Sequence, residues 1–427
     1  MTTTSPAPSI PAPGPAPTAA PRGRVSAAAR RLLQGTPGRM RLFGALAVLA
    51  AVVLGAVSAN ALLASRAAVQ RAANNTAQVV RVQSVHVDLL RADALATNAF
   101  LVGGLEPADQ RARYDAAMAS VARALTEAAA AQPADARALG ALSQQVQTYA
   151  ALVQQGRSNN RLGLPIGAQY VRQASAGLRA DAIPIVTAIT DANQRRAAAE
   201  FERTDARWQL GAGAVSLVVL VLVAVWLARR THRFVNVSLA AAFALLLLAL
   251  FAANSVIGSI ATTTATVARD DYARTVALAE IRTAANDARA TESLTLIARG
   301  SGATLEKTWQ ADAGRVQATL TQARLGTDTW AAYTSVHQQI RRLDDGGQWD
   351  AAVRLATTTE PTGAGPRFDA FDTEVTGARD AASASAVGTL GDVGALAPLY
   401  AVLVALAAVV AGWLVVRGIG QRVGEYA

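Results

Sequence analysis

Long apolar runs alternate with long polar segments along the chain. Four runs that are rich in Leu, Val and Ala contain no charged side chain, and they lie at 42–65, 208–228, 234–268 and 393–416. A helix needs roughly 20 residues to cross about 30 Å of hydrocarbon. The pattern therefore predicts four transmembrane helices, at 42–63, 208–228, 236–257 and 395–416.

The two polar segments have the pattern of helical bundles. From Val69 to Leu101, apolar and small residues recur at alternating spacings of three and four, which is typical of a helix packed in a bundle. Gly- and Pro-containing breaks follow, at 103–104, 132–133 and 156–165 in the first segment and at 300–302, 326–328, 344–347 and 360–366 in the second. We predict an all-α membrane protein with two tandem extracytoplasmic four-helix bundles, at 64–207 and 258–394.

The two halves of the chain are similar to each other at a constant offset of 194 residues. Asn60 corresponds to Asn254, and the string at 93–98 corresponds to the string at 287–292. The strings lie one position off the bundle seam, and their candidate polar residues are Asp93, Thr97, Asp287 and Thr291. These side chains either face a ligand-binding groove between helices or form interhelical hydrogen bonds that fix the register.

Each half also ends with a Trp and an Arg at the edge of an apolar run, which predicts anchors at the membrane interface. These pairs are Trp226 with Arg230 and Trp413 with Arg417. Within the runs, Asn60, Asn254 and Gly55 are predicted to pack transmembrane helices against one another. The order of these matches indicates an internal duplication of one unit that consists of a span, a bundle and a span.

Charge predicts the orientation. The net charge is +10, whereas the polar segments at 64–207 and 258–392 carry +4 and −4. The excess positive charge therefore lies in the short segments 1–41, 229–235 and 417–427, which the positive-inside rule places in the cytoplasm. We predict a multi-pass plasma-membrane protein with both termini inside. The opposite charges of the bundles favour their side-by-side association over self-pairing.

Composition argues against several kinds of chemistry. The chain has no Cys and three His residues, His86, His232 and His337, which are scattered over both sides of the predicted membrane. A zinc or haem site built on His and Cys is therefore not expected. The only Lys, Lys307, follows Glu306, so no phosphate-binding loop of the GxxxxGK type exists. We predict no catalytic residues, no cofactor, no metal site and no enzymatic activity.

The predicted cytoplasmic segments are short. Residues 1–41 form a Pro- and Arg-rich tail, and seven of the 15 Pro residues lie within 1–21, a composition that cannot bury a core. We expect no kinase or cyclase domain inside. One competing interpretation treats Ala59-Asn60-Ala61 as a signal-peptide cleavage site, although the apolar run before it is long for a signal peptide.

Two segments carry a family resemblance. Phe100–Pro107, followed by Tyr114–Ala117, resembles the helix-turn-helix of the four-helix-bundle sensor modules of chemoreceptors and sensor kinases, and 294–302 followed by 309–320 echoes it. Two such modules on four spans, with a Pro-rich tail, resemble the actinobacterial GlnX-type membrane proteins. The resemblance implies a relay of amino-acid availability from a glutamine-type solute-binding lipoprotein outside to protein kinase G, a Ser/Thr kinase, inside.

Two other function classes remain open on the sequence alone. A structural or assembly scaffold of the cell envelope would use the same helices passively. A transporter accessory subunit is a weaker alternative, because the four spans contain no acid or base for a proton relay or an ion site. A nucleic-acid partner is not expected, because the basic residues are distributed by membrane topology and do not form one face of a folded domain.

The orientation is testable by labelling. Ser158→Cys and Ser301→Cys lie in the segments predicted outside, so each should react with an impermeant maleimide in intact cells. Ser5→Cys lies in the predicted cytoplasmic tail and should react only after the cells are lysed. Labelling of the Ser5→Cys variant alone in intact cells would reverse the topology.

Overall fold

The computed structural model describes residues 36–102, 106–231, 236–323 and 325–424. All regular structure in these ranges is helical and no strand occurs in them, which confirms the prediction of an all-α protein. The first half contains α1 (Thr36–Val102), α2 (Ala108–Ala131), α3 (Ala136–Arg161), α4 (Ile166–Gly177), α5 (Ile183–Arg203) and α6 (Leu210–Thr231). The second half contains α7 (Val237–Val267), α8 (Ala273–Ile297), α9 (Ala303–Gln322), α10 (Asp328–Asp345), α11 (Trp349–Thr357), α12 (Ala364–Asp392) and α13 (Ala397–Gly424).

Four helical stretches are long and apolar enough to cross a membrane: Gly38–Leu101, Arg207–Arg229, Val237–Ile297 and Ala364–Gln421. The protein is accordingly a multi-pass membrane protein. In the third stretch a single π turn, Ala268–Tyr272, joins α7 to α8. The helices that contain the first and third apolar runs therefore continue far into the polar segments, since 20 residues already span the hydrocarbon.

The chain divides into two compact units. The membrane unit comprises the described parts of 1–57, 212–250 and 404–427. Its core is made of small and branched apolar side chains, among them Ala47, Leu54, Leu246 and Ala411, all of them fully buried. Many other large apolar side chains of the unit are exposed, as expected for a surface that faces lipid.

Close helix packing in the membrane unit depends on Gly55. A Cβ atom added at this position would lie 2.3 Å from the Cβ of Ala408 on α13. Real Cβ atoms do not approach so closely, so α1 and α13 meet at a separation that only glycine permits there. Ala51 and Ala47, one and two helical turns earlier, are also fully buried, in keeping with a packing stripe of small residues.

The structure also locates the residues that we predicted as anchors at the membrane interface. The Trp226 ring lies 4.1 Å from the Phe43 ring between centroids. The Arg417 guanidinium lies 5.3 Å from the centroid of the Trp413 ring, which is 57% exposed. Arg230 falls within α6, but its side chain lies outside the described residues.

The large unit comprises 58–211 and 251–403 and contains two lobes, each with its own apolar core. The first lobe is built from the distal part of α1 with α2, α3, α4 and α5; a π turn, Leu178–Ala182, joins α4 to α5 without a break. Its core includes Leu89, Val121, Leu142, Tyr149 and Val186. It thus has four helical segments around one core.

The second lobe repeats this order with α8, α9, α10, α11 and α12. Its core is more aromatic and includes Trp330, Tyr333 and Phe371. The additional break predicted near 344–347 separates α10 from the short α11, and Gly347 there has a φ of +76°, which favours glycine.

One detail differs from the sequence-based expectation. Helix α3 continues through Gly156 to Arg161, because a glycine there lets α3 approach α4: an added Cβ would lie 2.7 Å from Cγ2 of Val171. Asn60 and Asn254 both belong to the large unit and are exposed. Asn60 donates a hydrogen bond to Gln209 at 3.0 Å, which joins the first candidate span to the second. The predicted break at 103–104 lies outside the described residues.

Replacing Gly55 tests the packing of the membrane unit. Gly55→Leu should lower the thermal stability of the purified protein in detergent, since forcing extra volume into a packed interface costs about 1–3 kcal/mol. Gly420→Leu is the matched control, because a Cβ at Gly420 on α13 meets no atom within 4 Å. Equal melting temperatures for the two variants would contradict the close contact of α1 with α13.

Candidate functional site

The seam between the two lobes is the candidate site, and it begins with Asp93 on α1. The Asp93 side chain is 1% exposed. Its Oδ1 accepts a hydrogen bond from the Ser175 hydroxyl at 2.5 Å, and its Oδ2 accepts one from the Arg179 guanidinium at 2.8 Å. Ser175 and Arg179 are four residues apart, so they lie on the same face of the helical segment that packs against α1.

The same guanidinium reaches the second lobe. The other terminal nitrogen of Arg179 donates a hydrogen bond to Oδ1 of Asp287 on α8, at 2.7 Å. Asp93 and Asp287 occupy equivalent positions in the two repeats, and here they meet on one side chain. The arrangement is asymmetric, because Ser175 donates a second hydrogen bond to Asp93 and not to Asp287.

Arg179 lies in the π turn Leu178–Ala182, where the helix accommodates an extra residue in one turn. Such turns redirect side chains relative to a regular α-helix and are frequent at functional sites. Burial lowers the pKa of the Arg179 guanidinium, but the carboxylates of Asp93 and Asp287 outweigh it, so that the pKa is raised. The Arg179 guanidinium therefore stays charged at every physiological pH.

The two Thr residues of the repeated strings lie close to the bridge in sequence, but no hydrogen bond joins their hydroxyls to the side chains of the bridge in the described structure. Thr97 is fully buried, and its hydroxyl donates back to the carbonyls of Asp93 and Ala94 in its own helix. Thr291 is 1% exposed on α8. The structure thus gives the Asp residues interhelical partners, as one of the two sequence-based alternatives requires, and places both Thr side chains in the interior.

Other charged contacts cross the seam with the same polarity. Arg113 of the first lobe lies 3.0 Å from Asp369 of the second, and Arg91 lies 3.8 Å from Asp372. In each pair the first lobe contributes the Arg and the second contributes the Asp, as for Arg179 with Asp287. The opposite net charges of the two polar segments therefore correspond to specific contacts. The half-exposed Arg113 pair contributes little, and the less exposed Arg179 bridge contributes more.

A second cluster of charged groups lies inside the second lobe. Glu292 is 1% exposed, pairs with Arg289, and accepts a hydrogen bond from the Tyr333 hydroxyl at 3.3 Å. Nδ1 of His337 lies 2.8 Å from Oε2 of Glu292. The equivalent of Glu292 in the first repeat is Asn98, so this cluster is a feature of the second lobe alone.

His337 is held between two carboxylates. Its Nε2 lies 3.3 Å from Glu306, and the Trp309 ring stacks on the imidazole with centroids 3.4 Å apart. Burial lowers the pKa of His337, but the interactions with Glu292 and Glu306 outweigh it and raise the pKa above its ordinary value. The same contact with His337 contributes to lowering the pKa of Glu306 against the opposing effect of burial. In its protonated form, which these contacts favour, the imidazole ties α10 to α8 and α9.

Sequence reasoning did not assign Ser175, Arg179 or the cluster around His337. Arg179 belongs to no repeated string, and nothing in the local sequence distinguishes it from the other Arg residues. Glu292 ends the repeated string and could have been noticed, because the first repeat has Asn there. No group of three or more potential metal ligands occurs in the described part of the chain.

The Arg179 bridge is expected to stabilise the large unit. Arg179→Gln leaves the Asp93 charge buried without its cation, which should cost roughly 3 kcal/mol. Adding Asp93→Asn should recover part of the loss. Arg172→Gln, at an exposed position on α4, is the control and should be near neutral. A thermal melt of the purified protein measures all three, and wild-type stability of Arg179→Gln would contradict the role of the bridge.

Stability should also depend on pH through His337. Because the pKa is raised in the folded state, the stabilisation is fully present below the unfolded pKa of about 6.5 and is lost as pH rises through the folded pKa. The melting temperature should therefore fall as the pH rises above about 6.5, by roughly 2–4 °C per kcal/mol lost. His337→Gln should flatten this fall, whereas His86→Gln should keep it. An unchanged slope in His337→Gln would refute this assignment.

Comparison with known families links the first lobe to signalling. Residues 68–202 match the family model described as an actinobacterial sensor domain. The comparisons with curated proteins and with solved structures give no match. The matched range covers the distal part of α1 through α5, which includes Asp93, Ser175 and Arg179 of the seam. The first lobe of this multi-pass membrane protein is therefore similar to an actinobacterial sensor domain, which indicates a role in sensing or signalling.

Proposed function

We propose that the protein is a plasma-membrane signal transducer that relays the availability of an extracytoplasmic solute, an amino acid, to the cytoplasm. A solute-binding lipoprotein delivers the signal outside, and a Ser/Thr kinase or another regulator receives it inside. The single observation that carries the proposal is the match of residues 68–202 to a sensor domain. The resemblance to GlnX-type proteins supports the choice of partners.

The helix layout supports transmission through α1 and through α7 with α8. Asp93 lies on α1, which begins at Thr36, and Asp287 lies on α8, which continues α7 through a π turn. The helices that share the Arg179 bridge are thus the same helices that contain the first and third apolar runs. A partner that favours one packing of the lobes would shift these helices by a small slide or rotation.

The chain is proposed to act without an enzymatic activity of its own. In this proposal the output depends on a bound partner, and the apolar helices of the described membrane unit are in keeping with it. The Arg-rich segment 229–233 and the Pro-rich tail 1–41 are the candidate contact regions from the sequence. In this arrangement both termini are cytoplasmic, and both lobes lie outside.

A strain that lacks the gene tests the relay. Supplying glutamate or aspartate should alter phosphorylation of cytoplasmic metabolic regulators in the parent strain but not in the deletion strain. Complementation with the wild-type gene or Arg172→Gln should restore the response. Arg179→Gln should not restore it, provided that immunoblotting shows equal amounts of protein in the membrane.

Cross-linking identifies the outer partner. A photo-cross-linker placed at an exposed position of the first lobe, such as Gln154, should capture a solute-binding lipoprotein in intact cells. An unchanged phosphorylation response in the deletion strain, with the protein shown to be present in the parent, would overturn the relay. A structural scaffold of the envelope would then be the better description.

A further inference from the structure

The turn between α3 and α4, residues 162–166, exposes an unusual number of large apolar side chains; we call it the tip turn. Outside the four apolar runs, the described part of the chain exposes four large aliphatic side chains, those of Leu162, Leu164, Ile166 and Val387. Three of the four therefore lie within five consecutive residues, and Leu162 is 73% exposed. Single exposed apolar residues are common on proteins, whereas a contiguous group of them is typical of an interaction site.

The backbone holds the tip turn in a defined conformation. The N–H of Leu164 donates a hydrogen bond to the carbonyl of Asn159 at 2.9 Å, and the N–H of Gly163 donates one to the carbonyl of Asn160 at 2.9 Å. This pair of hydrogen bonds, with Gly163 at a φ of +68°, is the Schellman motif that ends many helices. The apolar residues are thus carried by an ordered turn, and an ordered surface loses little conformational entropy when a partner binds.

Helix capping does not explain why Leu164 is apolar. In a Schellman motif the residue at this position packs on a residue five or six positions earlier, and a residue just before a helix packs on the fourth helical residue. For Leu164 these positions hold Ser158, Asn159 and Gln169, which are all polar. Leu164 accordingly remains 46% exposed. Its apolar partner therefore has to come from another molecule.

A depression lies beside the tip turn. It is a cavity of about 200 Å³ with walls from α1, α3 and α4 and from the start of α2. Its lining includes the apolar side chains of Phe100 and Val171 and the charged side chain of Arg161. A protruding turn next to a depression gives a surface on which a side chain of a partner protein can be anchored.

The surroundings of the tip turn are basic. Residues 136–180, which comprise α3, the tip turn and α4, contain five Arg residues and no Asp or Glu. Arg157 is neutralised by Glu106 at 2.8 Å. Arg161, immediately before the tip turn, is exposed and forms no hydrogen bond or ion pair with the part of the chain that the structure describes. A partner surface that fits therefore combines an apolar pocket with an acidic rim.

Two other occupants do not fit this surface. A second copy of the chain would bring one Arg161 against another, and like charges across an interface disfavour association. The bilayer is too far along the helix. Gly167 packs beside Phe100 of α1, since an added Cβ would lie 3.2 Å from Cε2 of Phe100. Phe100 follows the end of the first apolar run, Ser65, by 35 residues of the same helix, which is about 50 Å at 1.5 Å per residue.

We propose that the tip turn, together with Arg161, is the docking site of the solute-binding protein, which contacts it through an apolar pocket with an acidic rim. This inference rests on the proposed function and names the surface of its outer contact. Helix α4 begins at the tip turn and continues through the π turn to Arg179. A protein that docks more tightly to one position of α4 therefore shifts the helical segment that carries the seam bridge.

Cross-linking in intact cells locates the contact. Full-length protein with the photo-cross-linker p-benzoylphenylalanine in place of Leu162 should form a product with a solute-binding lipoprotein, identified by mass spectrometry. The same cross-linker in place of Val387, the exposed apolar residue of the second lobe, is the matched control and should not form that product. Equal yields at the two positions, no product at Leu162, or a product there with a second copy or with a protein of another kind would overturn the docking site.

Affinity is then measured between the captured lipoprotein and the full-length protein in detergent. The double variant Leu162→Ser with Leu164→Ser should weaken binding about tenfold or more, as expected for the anchors of an interface. Its melting temperature should change little, because both side chains are exposed. Val387→Ser should bind normally. Arg161→Gln should weaken binding and reduce its dependence on salt. Wild-type affinity in both the double variant and Arg161→Gln would refute the docking site.

The outcomes separate this inference from the relay. Wild-type affinity in these variants, with a phosphorylation response that requires the gene, would refute the docking site and leave the relay standing. Binding that depends on Leu162, Leu164 and Arg161, with an unchanged response in the deletion strain, would support the docking site and refute the relay.

Discussion

The large unit depends on one constraint, which is that a carboxylate buried as deeply as Asp93 must have a cation and hydrogen-bond donors beside it. Arg179 and Ser175 supply them at 2.8 and 2.5 Å, and this fixes the π turn of the first lobe against α1. Because the guanidinium has a second terminal nitrogen, it also reaches Asp287 at 2.7 Å. One side chain thereby connects the interior of the first lobe to the second lobe.

The other ion pairs across the seam follow the same charge pattern, but they contribute different amounts to stability. In the ion pairs across the seam the Arg comes from the first lobe and the Asp from the second, whereas Arg379 of the second lobe donates a hydrogen bond to the Ser84 hydroxyl of the first. Between the lobes lies a cavity of about 370 Å³ that residues of both lobes line, so the seam is bonded at Arg179 and leaves space near Gln110. The second lobe has an independent brace, in which His337 lies between Glu292 and Glu306.

The membrane unit is held together by a different interaction. In lipid, apolar burial does not favour one helix pairing over another, so close van der Waals contact has to provide the stabilisation. Gly55 against Ala408 supplies it, and the exposed Leu and Val side chains around it face outward. The two units are thus stabilised by different interactions. Close packing of small residues holds the membrane unit together, and charged bridges connect the lobes of the large unit. The same helices, α1 and the α7–α8 pair, take part in both.

The sequence by itself determined the helical class, the four apolar stretches, the repeat and the pairing of Asp93 with Asp287 as equivalent positions. These follow from periodicity, run length and offset, which are local or one-dimensional properties. Arg179, His337 and the cavity could not be found in this way, because each depends on side chains that lie far apart in the chain. Only the tertiary structure decided which of 40 basic residues would meet the buried Asp93, because that choice depends on which helices pack together.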